Sequence, residues 1–329
     1  MTAKKVLSLP RLDPTREEVF LNRRRFVKDL SLAAAAMMMA PGAQEITAQD
    51  VSRMDPLAVP LSRPDVFPAK RNAKFDPDGV KLTERLVAAL HNNFYEFLPG
   101  RGGPAWQFTE KFKIEPWKVE VSGECHKPRT FDLDDLFKFE HEERIYHFRC
   151  VETWAMNIPW TGFPLKKLLE AVEPKSTARH VRFITAFKPS EMPGVGEKQY
   201  PWPYFEALRM DEAMHDLTMV VTGVYGKPLL KQHGAPVRTI VPWKYGYKSP
   251  KSIVKIELVK RRPGTFWSAG PYKHEYGYLS NVNPNVPHPR WSQAWDHMLV
   301  PNANPRRGPR QPTEIFNGYR EMVASLYPD

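Results

Sequence analysis

The chain has 329 residues, 42% of them hydrophobic and 26% charged, with a formal net charge of +11, proportions ordinary for a globular protein. Two cysteines are too few for a disulfide-held scaffold, and neither a CxxC nor another paired Cys/His spacing supports zinc. The basic balance has no zinc-finger or RNA-binding aromatic motif beside it, which argues against nucleic acid as a partner.

The first segment reads as an address. Arg23-Arg24-Arg25-Phe26-Val27-Lys28 leads into an apolar run from Leu30 to Ala40 and then into small residues, the order of a twin-arginine export signal. A solvated basic arm would not continue into eleven nearly uncharged residues, and a permanent membrane helix needs about 20. Cleavage is expected after Ala43 or Ala48, so residues 1–48 are the signal and 49–329 one catalytic domain. Residues 1–48 carry eight Lys/Arg against five Asp/Glu, so most of the positive charge belongs to the remainder. Export of a folded protein by this route implies a cofactor inserted before departure and a periplasmic destination.

Downstream, residues 50–81 are proline-rich and weakly periodic, as in an extended arm. A short helix is predicted over residues 82–93, and a strand where Trp117, Val119 and Val121 alternate with polar neighbours until Gly123. Helices follow at residues 131–139 and 164–172, the second placing Leu165, Leu168, Leu169 and Val172 on one face. Further strands are predicted at residues 180–187, 217–224, 237–241 and 252–259. Ile315, Tyr319, Met322, Val323 and Leu326 have the spacing of a C-terminal helix. Without strict strand and helix alternation the class is α+β, and 33 prolines favour strands and loops with few helices. No GxGxxG, GxxxxGK[ST] or GxSxG pattern is present.

Cys150 is the candidate for chemistry. It follows a strand-like stretch ending at Arg149 and opens a Pro/Trp-rich loop; a cation beside a thiol favours the thiolate, the metal-ligating form. A buried structural cysteine, or a bridge to Cys125 closing a loop of about 25 residues, fits the residues as well. Arg238, Lys248 and Lys251 offer charge for an anion within one short stretch, or form a solvated basic face with Lys255 and Lys260.

Arg149-Cys150-Val151-Glu152-Thr153-Trp154, with Ile158-Pro159-Trp160-Thr161-Gly162-Phe163-Pro164-Leu165 after it, resembles the molybdenum-ligating region of the sulfite-oxidase superfamily. The nearer resemblance is to its periplasmic protein-methionine-sulfoxide reductases, and it extends to residues 92–97, 237–246 and 281–293. It implies a sulfite-oxidase-like molybdopterin-binding fold and one molybdenum on one molybdopterin, ligated by Cys150. It also implies pterin contacts at Asn92, Tyr95, Glu96, Thr185, Arg238 and the Ser249-Pro250-Lys251 turn, and at His233, where the family has asparagine and an imidazole can donate to a phosphate or pterin oxygen.

Glu152 either relays protons near the metal or pairs with Arg149. Of Trp154, Trp160, Trp243, Tyr245, Tyr247 and Trp291, most are expected in the core and one or two at a mouth for methionine sulfoxide. The activity so implied is reductive oxygen-atom transfer on oxidised periplasmic proteins, with electrons from a membrane-embedded haem subunit. A sulfite-oxidase-like enzyme of small anions and a non-enzymatic exported binding protein are the other two readings.

Overall fold

The computed structural model describes residues 54–98, 104–270, 272–302 and 308–328. The arginine run and both cleavage positions lie outside the described residues. Twelve strands and several short helices make two sheets. In chain order the strands are β1 Lys118–Gly123, β2 Arg129–Asp132, β3 Glu142–Arg149, β4 Trp154–Pro164, β5 His180–Thr185 and β6 Phe205–Arg209. They continue with β7 Met219–Val224, β8 Lys227–Pro228, β9 Arg238–Ile240, β10 Ile253–Val259, β11 Trp295–Met298 and β12 Arg310–Pro312.

The first sheet has the order β2-β1-β10-β5-β6, with β1 and β10 parallel and the other pairs antiparallel. The second runs β12-β11-β4-β7-β8, with β3 on β4 and β9 on β7. One apolar cluster spans both, joining Val119, Val181, Phe183 and Leu258 to Ile158, Trp160, Phe163 and Val220. Irregular mixed sheets with few helices are what the composition predicted. Among the described residues no helix is long and apolar enough to cross a membrane.

The main departure from the sequence reading is β4. A Pro/Trp-rich loop was expected after Arg149, and proline rarely occupies a central strand, yet Trp154–Pro164 form one with every residue buried. Neighbours cover it on both faces, so its apolar residues run on instead of alternating. At Gly162 the strand passes so close to β7 that a Cβ would lie 2.0 Å from the Val220 carbonyl oxygen, and the register shifts there.

Other boundaries are corrected too. The helix expected at 82–93 is only Arg85–Leu90. Phe131 lies in β2, so the next helix starts at Leu133, capped by the Asp132 carboxylate, which accepts from the Asp135 N–H. The 164–172 helix forms as Leu165–Glu170 with its predicted apolar face buried. At the C-terminus the expected helix breaks into turns at Ile315–Gly318, Arg320–Val323 and Ala324–Leu326. Phe316 and Asn317 take φ of 52° and 57°, and the Asn317 amide donates instead to the carbonyls of His147 and Pro242. Those two bonds outweigh continuation of a helix whose spacing alone looked sufficient.

Candidate active site

Strands β3 and β4 form a hairpin whose connection, residues 150–153, carries Cys150. The loop is closed by the Cys150 N–H on the Trp154 carbonyl (2.9 Å) and the Thr153 N–H on the Cys150 carbonyl (3.0 Å). It needs Thr153 at φ 79°, a costly conformation for a side chain branched at Cβ, of the kind that persists at functional sites because its surroundings enforce it. Behind the loop Arg149 is fully buried. Its guanidinium pairs with Asp296 and also donates to the carbonyl of Cys150. Asp296 accepts from His147 as well (2.9 Å). Burial pushes the Asp296 carboxyl up, but the His147 hydrogen bond and the charges of His147 and Arg149 prevail and hold it at about 2. Arg149 therefore clamps the loop; its charge does favour the thiolate, as expected, but it is shared with Asp296 and is outweighed by burial and by Glu152.

The sulfur lines a cleft that is partly open to solvent, the kind of concave, mostly apolar place where ligands bind. Both cysteines are free and buried, so a bridge to Cys125 is excluded. Cys150 Sγ accepts from the Glu152 N–H at 3.4 Å and from Asn93 Nδ2 at 3.6 Å. The same Asn93 amide donates to Glu152 Oε2 at 2.9 Å. Glu152 thus stands beside the sulfur on Asn93, while Arg149 is taken by Asp296. Burial, with the Glu152 charge adding to it, pushes the thiol up to about 12. A metal cation displacing that proton would find a thiolate already supplied with two N–H donors.

Opposite the sulfur lies a set of basic and polar groups. Arg238 is buried and Lys251 half-buried, and among the described residues neither makes a salt bridge with a carboxylate. Arg238 donates to the carbonyls of His233 (2.8 Å) and Ser249 (3.2 Å) and lies 5.0 Å from the Trp160 ring centroid; burial lowers it to about 9. Lys251 Nζ donates to the Asn93 carbonyl (2.7 Å). Burial drives Lys251 down and the facing Glu96 up. Arg238 has no carboxylate beside it, and a buried cation so placed is costly; together with Lys251, whose charge the facing Glu96 answers only in part, it suits an anion.

His233 Nε2 donates to the Ala88 carbonyl (3.1 Å), and burial holds the ring neutral, at about 3. Its Nδ1 is then a buried acceptor with no partner. In this tautomer the free nitrogen accepts, and a ligand N–H would satisfy it, whereas the sequence reading expected the imidazole to donate to a phosphate or pterin oxygen. Gly234 follows at φ 100°, and a Cβ there would meet Lys251 Cβ at 2.6 Å, so only glycine lets the two segments close on each other.

Of the residues anticipated, Cys150, Glu152, Asn92, Tyr95, Glu96, His233, Arg238, Ser249, Pro250 and Lys251 all line this cleft. Three roles change. The Asn92 amide caps the preceding helix on the Ala88 and Ala89 carbonyls. Thr185 lies behind the wall, its hydroxyl donating to Glu96 Oε1 (3.2 Å). Lys248 turns into the core, where Glu206 holds it at 2.5 Å, so it leaves the anion group. Trp154, Trp160 and Tyr247 reach the cleft, whereas Trp243 is core.

Sequence reasoning missed Asn93, although it stands next to an anticipated residue, and it missed Trp267 and Tyr276, which sit outside any periodic segment. An orphaned acceptor, two cations in the cleft wall and a soft sulfur donor suit an anionic, donor-rich organic ligand carrying a thiophilic metal. The residues present fit a molybdopterin.

The comparisons agree. The family model for the oxidoreductase molybdopterin binding domain matches residues 106–267, which places the chain in the class of molybdopterin-dependent oxidoreductases. It is 43% identical over 328 residues, 99% of its length and 97% of theirs, to the protein-methionine-sulfoxide reductase catalytic subunits MsrP of Xanthomonas axonopodis pv. citri and Xanthomonas campestris pv. campestris. It is 44% identical to that of Burkholderia mallei over 97% of this chain and 93% of the other. The sulfane dehydrogenase SoxCD of Paracoccus pantotrophus, at 15% identity, has a TM-score of 0.41 over 64% of this chain and 59% of that one; the assignment rests on the relatives instead. The chain belongs to the MsrP family of the sulfite-oxidase-like molybdopterin enzymes.

Proposed function

We propose that this protein is the catalytic subunit of a protein-methionine-sulfoxide reductase, in which two electrons and two protons convert a sulfoxide into a thioether and water. The observation that carries this reading is the cleft itself: one buried sulfur lines it together with the cations Arg238 and Lys251, neither in a salt bridge, and an imidazole acceptor left open, in a chain 43% identical to named reductases. Bound there, the molybdenum cofactor supplies the reversible two-electron chemistry.

The protein's part is to hold and orient. Cys150 is the metal ligand, and Asn93 fixes both that sulfur and the Glu152 carboxylate. Arg238 and Lys251 neutralise the cofactor's phosphate, and His233 Nδ1 with Glu96 and Tyr95 meet the pterin ring. Glu152 Oε1 and Oε2 are the oxygens that carry protons to the leaving water. Aromatic walls keep bulk water from the metal side and strengthen every polar contact inside.

One molybdenum and one pterin per chain, a membrane-bound haem subunit as electron donor, folded export by the twin-arginine pathway and oxidised periplasmic proteins as substrates complete the reading. It is supported by the arginine run with its apolar sequel, by the catalytic-subunit name of the relatives, and by the want of a haem or flavin motif in this chain. The test is molybdenum and pterin analysis of periplasmic protein, followed by steady-state assays with methionine sulfoxide under reduced viologen and with sulfite. Sulfoxide turnover with a stoichiometry near one bears the proposal out. Sulfite turnover alone would transfer the chain to the small-anion oxidases, and metal-free folded protein without turnover would make it a binding protein.

A further inference from the structure

Above the metal side, the cleft opens into a mouth that shares Asn93, Tyr95, Glu152, Trp267 and Tyr276 with the deeper part and adds Tyr272, Arg290 and Trp291 on its rim. Among the described residues lining this mouth, Arg290 is the only cation. Three contacts hold it. Its Nη2 donates to Glu275 Oε2 (2.7 Å), and its Cζ lies 4.8 Å from the Trp291 ring centroid and 5.7 Å from that of Tyr272. Trp291 is in turn stacked on His288, with centroids 3.7 Å apart and planes 7° from parallel. Its indole N–H donates to the carbonyl of Val151 (2.8 Å), the residue between Cys150 and Glu152. The rim is therefore tied to the metal-side loop by one hydrogen bond, which fixes the guanidinium relative to the sulfur. The Arg290 side chain is nevertheless 53% exposed, so it keeps N–H groups for something arriving from solution.

What arrives follows from the geometry of a methionine sulfoxide. Two methylenes separate its Cα from the sulfur, so when the S–O group points inward the main chain stays at the mouth. There its carbonyl groups lose water and need donors. Asn93 is committed to Glu152 and Cys150, and Glu152 is an acceptor. Resting on the reading of the cleft as a sulfoxide site, we infer that Arg290 binds the main-chain carbonyl of the polypeptide that carries the oxidised methionine, making it the residue that separates polypeptide substrates from small sulfoxides. Its flat guanidinium, held on Trp291 by Glu275, is oriented before the substrate comes and loses little freedom on binding.

The experiment compares a short peptide containing one methionine sulfoxide with dimethyl sulfoxide, which has no main chain, on wild-type holoenzyme and on Arg290→Ala and Arg290→Lys. Peptide binding to the oxidised enzyme is read by tryptophan fluorescence, since Trp267 and Trp291 line the mouth, and KM and kcat are read with reduced viologen. Loss of a charged hydrogen bond should weaken peptide binding and raise its KM about ten- to hundredfold in Arg290→Ala. Arg290→Lys should recover only part, because a point charge lacks the fork, and kcat should hold. For dimethyl sulfoxide kcat/KM should fall less than threefold, and molybdenum content should be that of wild type. Unchanged peptide affinity, an equal loss with both substrates, or a wild-type enzyme that does not bind the peptide overturns the inference. A wild-type enzyme that binds the peptide but reduces neither sulfoxide contradicts the proposed activity instead, and the fluorescence titration still decides the role of Arg290.

Discussion

Arg149 and Asp296 form a fully buried ion pair directly behind the loop that presents Cys150. Because Arg149 also donates to the Cys150 carbonyl, the position of the sulfur depends on a charge pair that never touches the cleft. Removing one partner strands the other in a dry site, which costs about 3–5 kcal/mol. Asp296→Asn should therefore lower the urea midpoint clearly at pH 7 and loosen cofactor retention.

The acid side of the stability profile carries the same pair. Asp296 is held at about 2 in the folded protein, against roughly 3.9 in an unfolded chain. A depressed carboxyl stabilises the fold fully above the unfolded value, and the stabilisation is lost as pH falls through the folded one. The wild type should thus lose on the order of 2–3 kcal/mol from this group between about pH 4 and pH 2. Asp296→Asn, less stable at neutral pH, should show a flatter decline there. Urea midpoints at pH 7, 4 and 3 check it, and parallel declines for the two proteins would remove Asp296 from the acid response.

The two cysteines should behave oppositely. Cys150→Ser removes the soft ligand, so folded protein should be recovered without molybdenum and without sulfoxide turnover. Cys125 is buried in an isolated bridge with Pro174, remote from the cleft, and Cys125→Ser should keep both metal and activity. Metal analysis beside the viologen assay decides, and normal turnover in Cys150→Ser would end the ligand assignment.

The cradle makes a fourth prediction. At Gly234, Ala should destabilise by about 1–3 kcal/mol, since φ is 100° and the added Cβ would meet Lys251. Arg238→Met should act differently. It removes a buried charge and should leave the cofactor-free protein as stable as wild type or more so, while cofactor retention falls. Melting curves with and without bound cofactor separate the two effects. An Arg238→Met protein that retains cofactor fully would show that the anion is held elsewhere.

Much of the cleft was legible because its residues lie in short runs of unusual composition: residues 92–96, 150–152 and 249–251 each return to one wall. Roles were less legible than places. Which of two adjacent asparagines reaches the sulfur depends on where the helix Arg85–Leu90 stops, since Asn92 is consumed in capping it. Whether Lys248 or Lys251 faces the cleft depends on a tight turn over Gly246–Lys248. Spacing records neither. Strand β4 was hidden for a related reason: two prolines and a bulge are tolerable only because β3, β7 and β11 surround it, and no local pattern announces its neighbours.

Asn93 gives the sharpest test of how the protein tunes its metal. One amide serves both Cys150 Sγ and Glu152 Oε2, and N–H donors on a ligating sulfur draw electron density from it, which makes a metal easier to reduce. Asn93→Leu keeps the bulk and removes the donor. The molybdenum midpoint potential, followed by electron paramagnetic resonance during a redox titration, should move to more negative values while the metal content stays near wild type. Turnover should fall about tenfold, as for a lost orienting contact, with KM for methionine sulfoxide little changed, because the amide touches the ligand and the proton carrier but not the main chain of the substrate. An unshifted potential with reduced turnover would leave Asn93 as a holder of Glu152 alone, and a raised KM would place it among the substrate contacts.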